Sequence, residues 1–273
     1  MKKKLLRYTL LGIAVAWGIA LMNTQHEEKT TYAPRDYAEI AATGVLRAVV
    51  EYNALSYHVQ GDTVEGFDYE LLHAFARDMG LKVEVTPEMS FEQRLEGIGT
   101  GRYDLLATGT AVTSRLKDSL LFTRPLLLDK QVLVQRKAAG TDTDSLHISN
   151  QLELAHRHLY VIKGSTALLR LHNLINEIAD TIYIEEVEQY GPEQLLALVA
   201  GGDIDYAVCD ESIARKLHAE FPDLDLDTDI GFTQFHAWGV NKRSTALLDS
   251  LNGWLDRFLQ TKDYQRLKKK YFK

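Results

Sequence analysis

The sequence has one cysteine, Cys209, so no disulfide can close within the chain. Cys209 lies in an apolar, strand-like run with no histidine near it in sequence, which reads as a small buried core residue rather than a nucleophile. Positive charge is short as well. Five of the 31 Lys and Arg and two of the 38 acids fall in the first thirty residues, so the remainder carries 26 against 36, a net of −10. A body this acidic excludes nucleic acid as a partner, because binding there requires cations that displace counterions. The basic run Lys268-Lys269-Lys270 reads as a solvated helix end that complements the helix dipole. No His, Asp or Glu spacing implies a metal site and no glycine-rich phosphate loop is present, so neither metal nor cofactor is expected.

The pronounced apolar run, residues 8–22, is short for a membrane-spanning helix. It follows Lys2, Lys3, Lys4 and Arg7 and has no clean small-residue cleavage site and no cysteine after it, which excludes a lipoprotein anchor. It reads as an uncleaved or poorly cleaved export signal, with the basic residues held in the cytoplasm and the body beyond the membrane. Residues 24–35 are polar, include Pro34, and read as a linker.

What is present is an ordinary globular chain of 273 residues, 45% hydrophobic and 25% charged, long enough for two lobes. Strands are expected at 46–51 and 82–85 and helices at 67–79 and 91–98, with Asp68 as a helix N-cap and Gly80 just past the helix end. Alternation of strand and helix implies parallel pairing.

Residues 101–137 organise the chain. A buried strand at 104–107 opens into a loop, 108–115, that begins Thr108-Gly109-Thr110, and a second apolar strand follows at 131–135. Glycine lets a ligand approach the backbone, the hydroxyls can donate hydrogen bonds, and the carboxyl end of such a strand is a usual ligand position in an open α/β sheet. After a polar connector, 138–150, a second α/β run begins. It has a strand at 158–162, then Lys163-Gly164-Ser165-Thr166, then a helix with Leu171 and Leu174 inward. A strand at 181–184, a helix opened by Gly191-Pro192, and a strand at 205–209 that delivers Asp210 complete it. Residues 96–107 and 198–208 share helix end, glycine, apolar residue, Asp and buried strand, which fits two lobes of one architecture. A strand at 234–240 and helices at 245–260 and 263–272 finish the chain, the first with a core stripe that includes Leu247, Leu251, Trp254 and Phe258.

The ordered set GFDYELLHAFARDMGLKVEV, GRYDLLATGTAVTS, LFTRPLL, IKGSTA, IDYAVCDESIA and KDYQRLKKKYF resembles the family 3 periplasmic solute-binding proteins over nearly all of residues 45–273. Within that family, residues 52–57, 66–71 and 204–206 look most like the N-terminal module of the membrane-bound lytic murein transglycosylases of the F type. The resemblance implies an α/β, two-lobed periplasmic-binding-protein-like (type II) fold, each lobe a mixed sheet flanked by helices. Lobe 1 is expected at 31–132 plus 236–273 and lobe 2 at 133–235, with 1–30 as signal or membrane anchor and linker. The lytic domain is expected to be absent and the chain not to be an enzyme. The pair Glu211-Ser212 is similar to the Glu-Ser of lytic domains but falls inside the binding-module motif.

The implied function is a periplasmic protein that closes on a small polar ligand, a muropeptide or an amino acid, with a membrane permease or cell-wall enzyme as partner. The alternatives are a transglycosylase-related role in peptidoglycan turnover and the amino-acid-binding component of an ABC importer. By resemblance, Thr108, Gly109 and Thr110 match the first ligand loop, Gly164, Ser165 and Thr166 the anion site at a helix start, and Asp210 the acid that takes an ammonium. Ser165 and Thr166 also fit an ordinary helix cap. Leu116 stands where the family carries its carboxylate-binding Arg, with Arg115 one place earlier and Arg124 as a substitute. Asn53 and Tyr57, with Tyr52, are candidates for the lobe-1 wall, and His236 or Trp238 for the hinge side.

Overall fold

The computed structural model describes residues 32–138, 146–188 and 190–272. The expected export segment, residues 1–30, lies outside the described residues, as does the middle of the polar connector. Among the described residues no helix is long and apolar enough to cross a membrane.

In chain order the elements begin with α1 (Tyr37–Thr43), β1 (Val45–Val50), the hairpin β2 (His58–Gln60) and β3 (Thr63–Glu65), α2 (Phe67–Asp78), β4 (Lys82–Pro87) and α3 (Phe91–Thr100). Next come β5 (Leu105–Ala111), α4 (Ser114–Lys117), β6 (Leu120–Phe122), β7 (Leu127–Asp129) and β8 (Gln131–Arg136). The second half holds β9 (His158–Ile162), α5 (Ala167–Ile178), β10 (Tyr183–Val187), α6 (Pro192–Gly201), β11 (Tyr206–Asp210), α7 (Glu211–Leu217) and β12 (Leu224–Asp225). Strand β13 (Gln234–Asn241) and helices α8 (Thr245–Phe258) and α9 (Lys262–Tyr271) close the chain.

Two mixed sheets result, with strand orders β4-β1-β5-β13-β6 and β10-β9-β11-β8-β12, and β7 also pairs with β13. In each, three parallel strands are followed by one antiparallel strand from elsewhere in the chain, β13 against β5 and β8 against β11. The expected parallel pairing therefore holds for the local strands, and the antiparallel neighbours are long-range additions. The lookalike stretches at 96–107 and 198–208 form the same unit, in which a helix closes on a left-handed glycine, Gly101 or Gly202, and runs into the central strand. A single residue, Lys130, separates β7 of the first sheet from β8 of the second, and the chain returns through residues 226–233 to β13.

Helix α2 does not use Asp68 as its cap. Its N-cap is Gly66 at φ +149°, where a Cβ would lie 2.1 Å from the Ser56 carbonyl oxygen. Only glycine allows that approach, and starting the helix at Phe67 frees Asp68 to turn into the core. Gly80 stands just past the helix end as expected.

The first lobe's core packs Phe67, Phe75 and Trp254 beneath the sheet, with the Phe75 and Trp254 ring centroids 5.4 Å apart. One ion cluster ties the start of β5 to β1. The buried Asp104 accepts from the Arg47 amide at 2.8 Å, from Arg47 Nη2 at 2.7 Å and from Arg35 Nε at 3.0 Å. Burial pushes the Asp104 carboxyl up, the bonds from Arg35 and Arg47 outweigh it, and the group titrates below its ordinary range. Asp104→Asn should therefore cost about 3–5 kcal/mol, the usual loss when one partner leaves a buried charge network. Urea unfolding measures this, and an unchanged midpoint would show that the cluster does not support the fold.

Candidate functional site

Between the two sheets lies a cavity of about 700 Å³, part of it open to solvent. From the first lobe, Thr108, Gly109 and Thr110 line it together with Glu51, Phe91 and Arg94. From the second sheet and the elements beside it come Gln131, Ser165, Thr166 and Asp210, with Ile162, Leu195 and Ile213 as apolar wall.

Thr108, Gly109 and Thr110 do not begin a loop, as the sequence reading has it. Strand β5 continues to Ala111, because β13 pairs with it through Ala237 opposite Thr110 and His236 opposite Ala111. That partner arrives 125 residues later, so nothing local announces it. Both backbone groups of Gly109 are engaged inside the protein. Its N–H donates to Asp68 Oδ2 at 3.3 Å and its carbonyl accepts from His236 Nδ1 at 2.9 Å. The Thr110 hydroxyl donates to the Thr108 carbonyl at 3.2 Å.

Beneath this strand, Asp68 also accepts from Trp238 Nε1 at 2.6 Å. Burial pushes the Asp68 carboxyl up to about 6, against the pull of the Trp238 and Gly109 N–H groups. Asp210, at the end of β11, accepts from Gln131 Nε2 at 3.1 Å. Removal from water raises it to about 6; His236 pulls it down and Asp129 pushes it up. Such a carboxylate is poised for a cation, which would restore its charged form. Cys209 is buried, its thiol pushed well up by burial, consistent with a wall residue.

The second-lobe turn divides its expected duties. Ser165 Oγ accepts from the Ala167 amide at 3.2 Å, so it serves in part as a helix cap, whereas the Thr166 side chain makes no cap bond. Gly164, at φ +72°, lines a neighbouring pocket with Arg115, and a Cβ there would lie 3.6 Å from Phe91 across the cleft. Arg115 is exposed and Leu116 buried, so neither brings a guanidinium to the central cavity. Arg124 pairs with Asp256 at 2.9 Å, both more than half exposed. Asn53 is buried, and its Oδ1 accepts from the amides of Leu55 and Ser56, so it shapes the 53–57 loop while lining a deeper recess with Asp210. Tyr57 lines neither space and packs edge-on against Tyr52 and Tyr69.

Lys163 lines the cavity, and so does a second cation that sequence reasoning missed, Arg94. It is 3% exposed, donates from Nη1 to the carbonyls of Glu88 and Met89, pairs with Glu51 at 3.3 Å, and lies over the Phe91 ring. The available signal was its place on the buried face of α3, three residues after Phe91 and four before Ile98. Also missed were Glu51, Gln131 and Glu193. Glu193 Oε1 accepts from the Ala54 amide at 2.5 Å, a direct bond across the cleft, and burial raises its carboxyl. One further group assembles only in three dimensions. Asp129, Asp210 and His236 place one ligand atom each within 4.8 Å of one another, a set capable of holding a cation although their separation in sequence shows no metal spacing.

The family described as bacterial extracellular solute-binding proteins, family 3, matches residues 46–273. Among curated relatives, membrane-bound lytic murein transglycosylase F of Pseudomonas fluorescens is 26% identical over 241 residues, covering 88% of this chain and 48% of the relative. That of Desulfosudis oleivorans is 27% identical over 278 residues, covering 100% and 58%. The chain spans about half the length of the curated relatives it matches. Among solved structures, a variant of ArgBP from T. maritima superimposes with a TM-score of 0.73 at 23% identity, covering 86% of this chain and 98% of that one. An ancestral amino acid-binding protein, a precursor of cyclohexadienyl dehydratase, gives 0.75 at 22%, covering 86% and 99%. AbpA from Streptococcus pneumoniae bound to L-arginine gives 0.73 at 20%, covering 86% and 97%. At these identities the structural likeness shows the fold, the type II periplasmic-binding-protein arrangement.

The buried Asp68 yields a pH test. Its folded value of about 6 lies above the ordinary 3.8. As pH rises from about 4 to about 6, the unfolded chain releases a proton that the native chain keeps, so stability falls through this window and levels off above it. The loss is at most about 3 kcal/mol. Asp68→Asn removes this term. In urea unfolding the stability advantage of the wild type over the variant should narrow between about pH 4 and about pH 7. A constant difference would mean that Asp68 does not titrate there.

Proposed function

This chain belongs to the bacterial extracellular solute-binding proteins of family 3, and from that premise we propose that it binds a small zwitterionic solute in the cavity between its sheets. The observation that carries the reading is one cavity lined at once by Asp210, by the guanidinium of Arg94 and by the Ser165-Thr166 start of α5. An amine suits Asp210, whose charged form a cation restores. A carboxylate suits the N–H groups and hydroxyls at the start of α5, with Arg94 as the nearby cation in place of the family's absent Arg. Thr108 and Thr110 supply hydroxyls along the strand.

The solute class is an amino acid. Solved neighbours include an ancestral arginine-binding protein bound to arginine and AbpA bound to L-arginine, which makes arginine the first compound to test. A second reading, a peptide fragment of the cell wall, is favoured by the relatives named as lytic murein transglycosylases. In either case the chain binds and does not cleave, and hands its solute to a membrane permease or a cell-wall enzyme. We place the lobes at 31–132 plus 236–273 and at 133–235, closing about Lys130 and the return to Gln234, with the Glu193 to Ala54 bond among the contacts that favour the closed form. Residues 1–30 direct export to the periplasm or anchor the body at its membrane.

Thermal unfolding of the chain against arginine, other amino acids and muropeptides, with chelator present, tests this. A solute at 100 times its dissociation constant stabilises by about 2.7 kcal/mol, a readily measured rise in melting temperature. Asp210→Asn and Arg94→Gln should each abolish or strongly reduce that rise. No rise with either class at millimolar concentration defeats the reading, and release of soluble fragments from peptidoglycan by the pure chain would assign catalysis instead.

A further inference from the structure

Asp129 ends β7, His236 lies in the adjacent β13, and Asp210 ends β11 of the other sheet, where it faces Gln131 of β8. A carboxylate oxygen of each aspartate and a ring nitrogen of His236 lie within 4.8 Å of one another. His236 is 2% exposed. Its Nδ1 faces the Gly109 carbonyl at 2.9 Å, and a carbonyl only accepts, so Nδ1 carries the hydrogen and the lone pair of the neutral ring sits on Nε2. That Nε2 is buried and has no hydrogen-bond partner among the described residues. An ordinary imidazolium–carboxylate pair would place an Nε2–H bond on one of the aspartates, and no such bond forms.

The remaining atoms of the group are held. Asp129 accepts from the amides of Lys130 at 2.9 Å and Ser212 at 3.2 Å and from the Ser212 hydroxyl, and Asp210 accepts from Gln131 at 3.1 Å. Outer partners of this kind orient metal ligands and fix the histidine tautomer. The recess around them is also lined by Glu51 and Asp68, and by no Lys or Arg. Two cations close by in the fold are engaged, Arg94 with Glu51 and Lys130 with Asp229 at 2.6 Å.

We propose that Asp129, Asp210 and Nε2 of His236 form a binding site for a divalent transition-metal ion, with zinc as the probe. One imidazole nitrogen and two carboxylates are a borderline donor set suited to zinc, whereas calcium requires six or more oxygens and copper(I) prefers sulfur. Tetrahedral donors at about 2.1 Å from an ion lie about 3.4 Å apart, so binding draws the group together by up to about 1.4 Å. The fourth position opens toward the recess for water or a solute donor. Two ligands come from the first sheet and one from the second, at the single-residue crossover of Lys130, so the ion would tie the lobes together beside the solute cavity. This goes beyond the amino-acid reading and stands without it.

The test uses the full chain, stripped by chelator dialysis and free of amino acids, titrated with zinc chloride against a chromogenic chelator. One tight zinc per chain is expected. His236→Gln and Asp129→Asn should each weaken it by more than about 100-fold, beyond the 10–100-fold typical of losing an outer partner. His158→Gln, at the surface pair with Glu185, should leave it unchanged. If either site variant fails to fold, anomalous scattering from zinc-loaded crystals of the wild type locates the ion directly. No stoichiometric zinc, equal affinity in wild type and His236→Gln, or an anomalous peak away from His236 overturns the proposal. Solute binding measured with chelator present fails or succeeds independently of these results.

Discussion

Withdrawing the Asp68 carboxylate from water is the constraint on which the cavity depends. The group would be costly to bury alone, so it holds the Trp238 ring N–H and the Gly109 amide, and through them α2, β13 and β5 are locked into one arrangement. Gly109 in turn gives its carbonyl to His236, so the strand edge facing the solute space is braced from below at both of its polar groups. The burial is possible only because Gly66 opens α2 one residue before Phe67, in a conformation where any Cβ would strike Ser56. A backbone requirement at one glycine thus sets the floor on which Thr108 and Thr110 stand.

The two halves solve the same local problem in the same way, with a helix ending on a left-handed glycine before a central strand, and each sheet then borrows an antiparallel strand. That exchange is what brings acidic groups of both lobes together. Asp129 and Asp210 sit on either side of the crossover at Lys130, and the Ala54 amide bonds Glu193 of the other half. Negative charge therefore collects where the lobes meet, in keeping with the acidic body.

The family resemblance leads one to expect a guanidinium at position 116. Leu116 occupies the expected position and is buried, and Arg115 turns outward from the short helix α4. Arg94 enters the same cavity from α3, stabilised by two carbonyls, Glu51 and the face of Phe91. A one-residue shift on a helix rotates a side chain by about 100°, and Arg115 lines the pocket it shares with Gly164, Ser165 and Thr166 rather than the central cavity.

Sequence alone determined the main strands and helices of both halves, though not the 37–43 helix, the 58–65 hairpin or the short strands at 120–122, 127–129 and 224–225, together with the glycine stops, the likeness of the two units and the family, because periodicity, turn chemistry and motif order are local. Asp210, Ser165 and Thr166 were legible for the same reason, each marking the end of a local element, and Thr108 was legible from its hydroxyl-rich stretch although it lies within β5. The structure alone decided that β5 runs on to Ala111, that Asp68 is a buried anchor rather than a cap, that Arg94 lines the cavity, and that Asp129, Asp210 and His236 meet. These facts depend on pairings between residues up to about 170 positions apart, and no local pattern records which distant strand will arrive beside a given one.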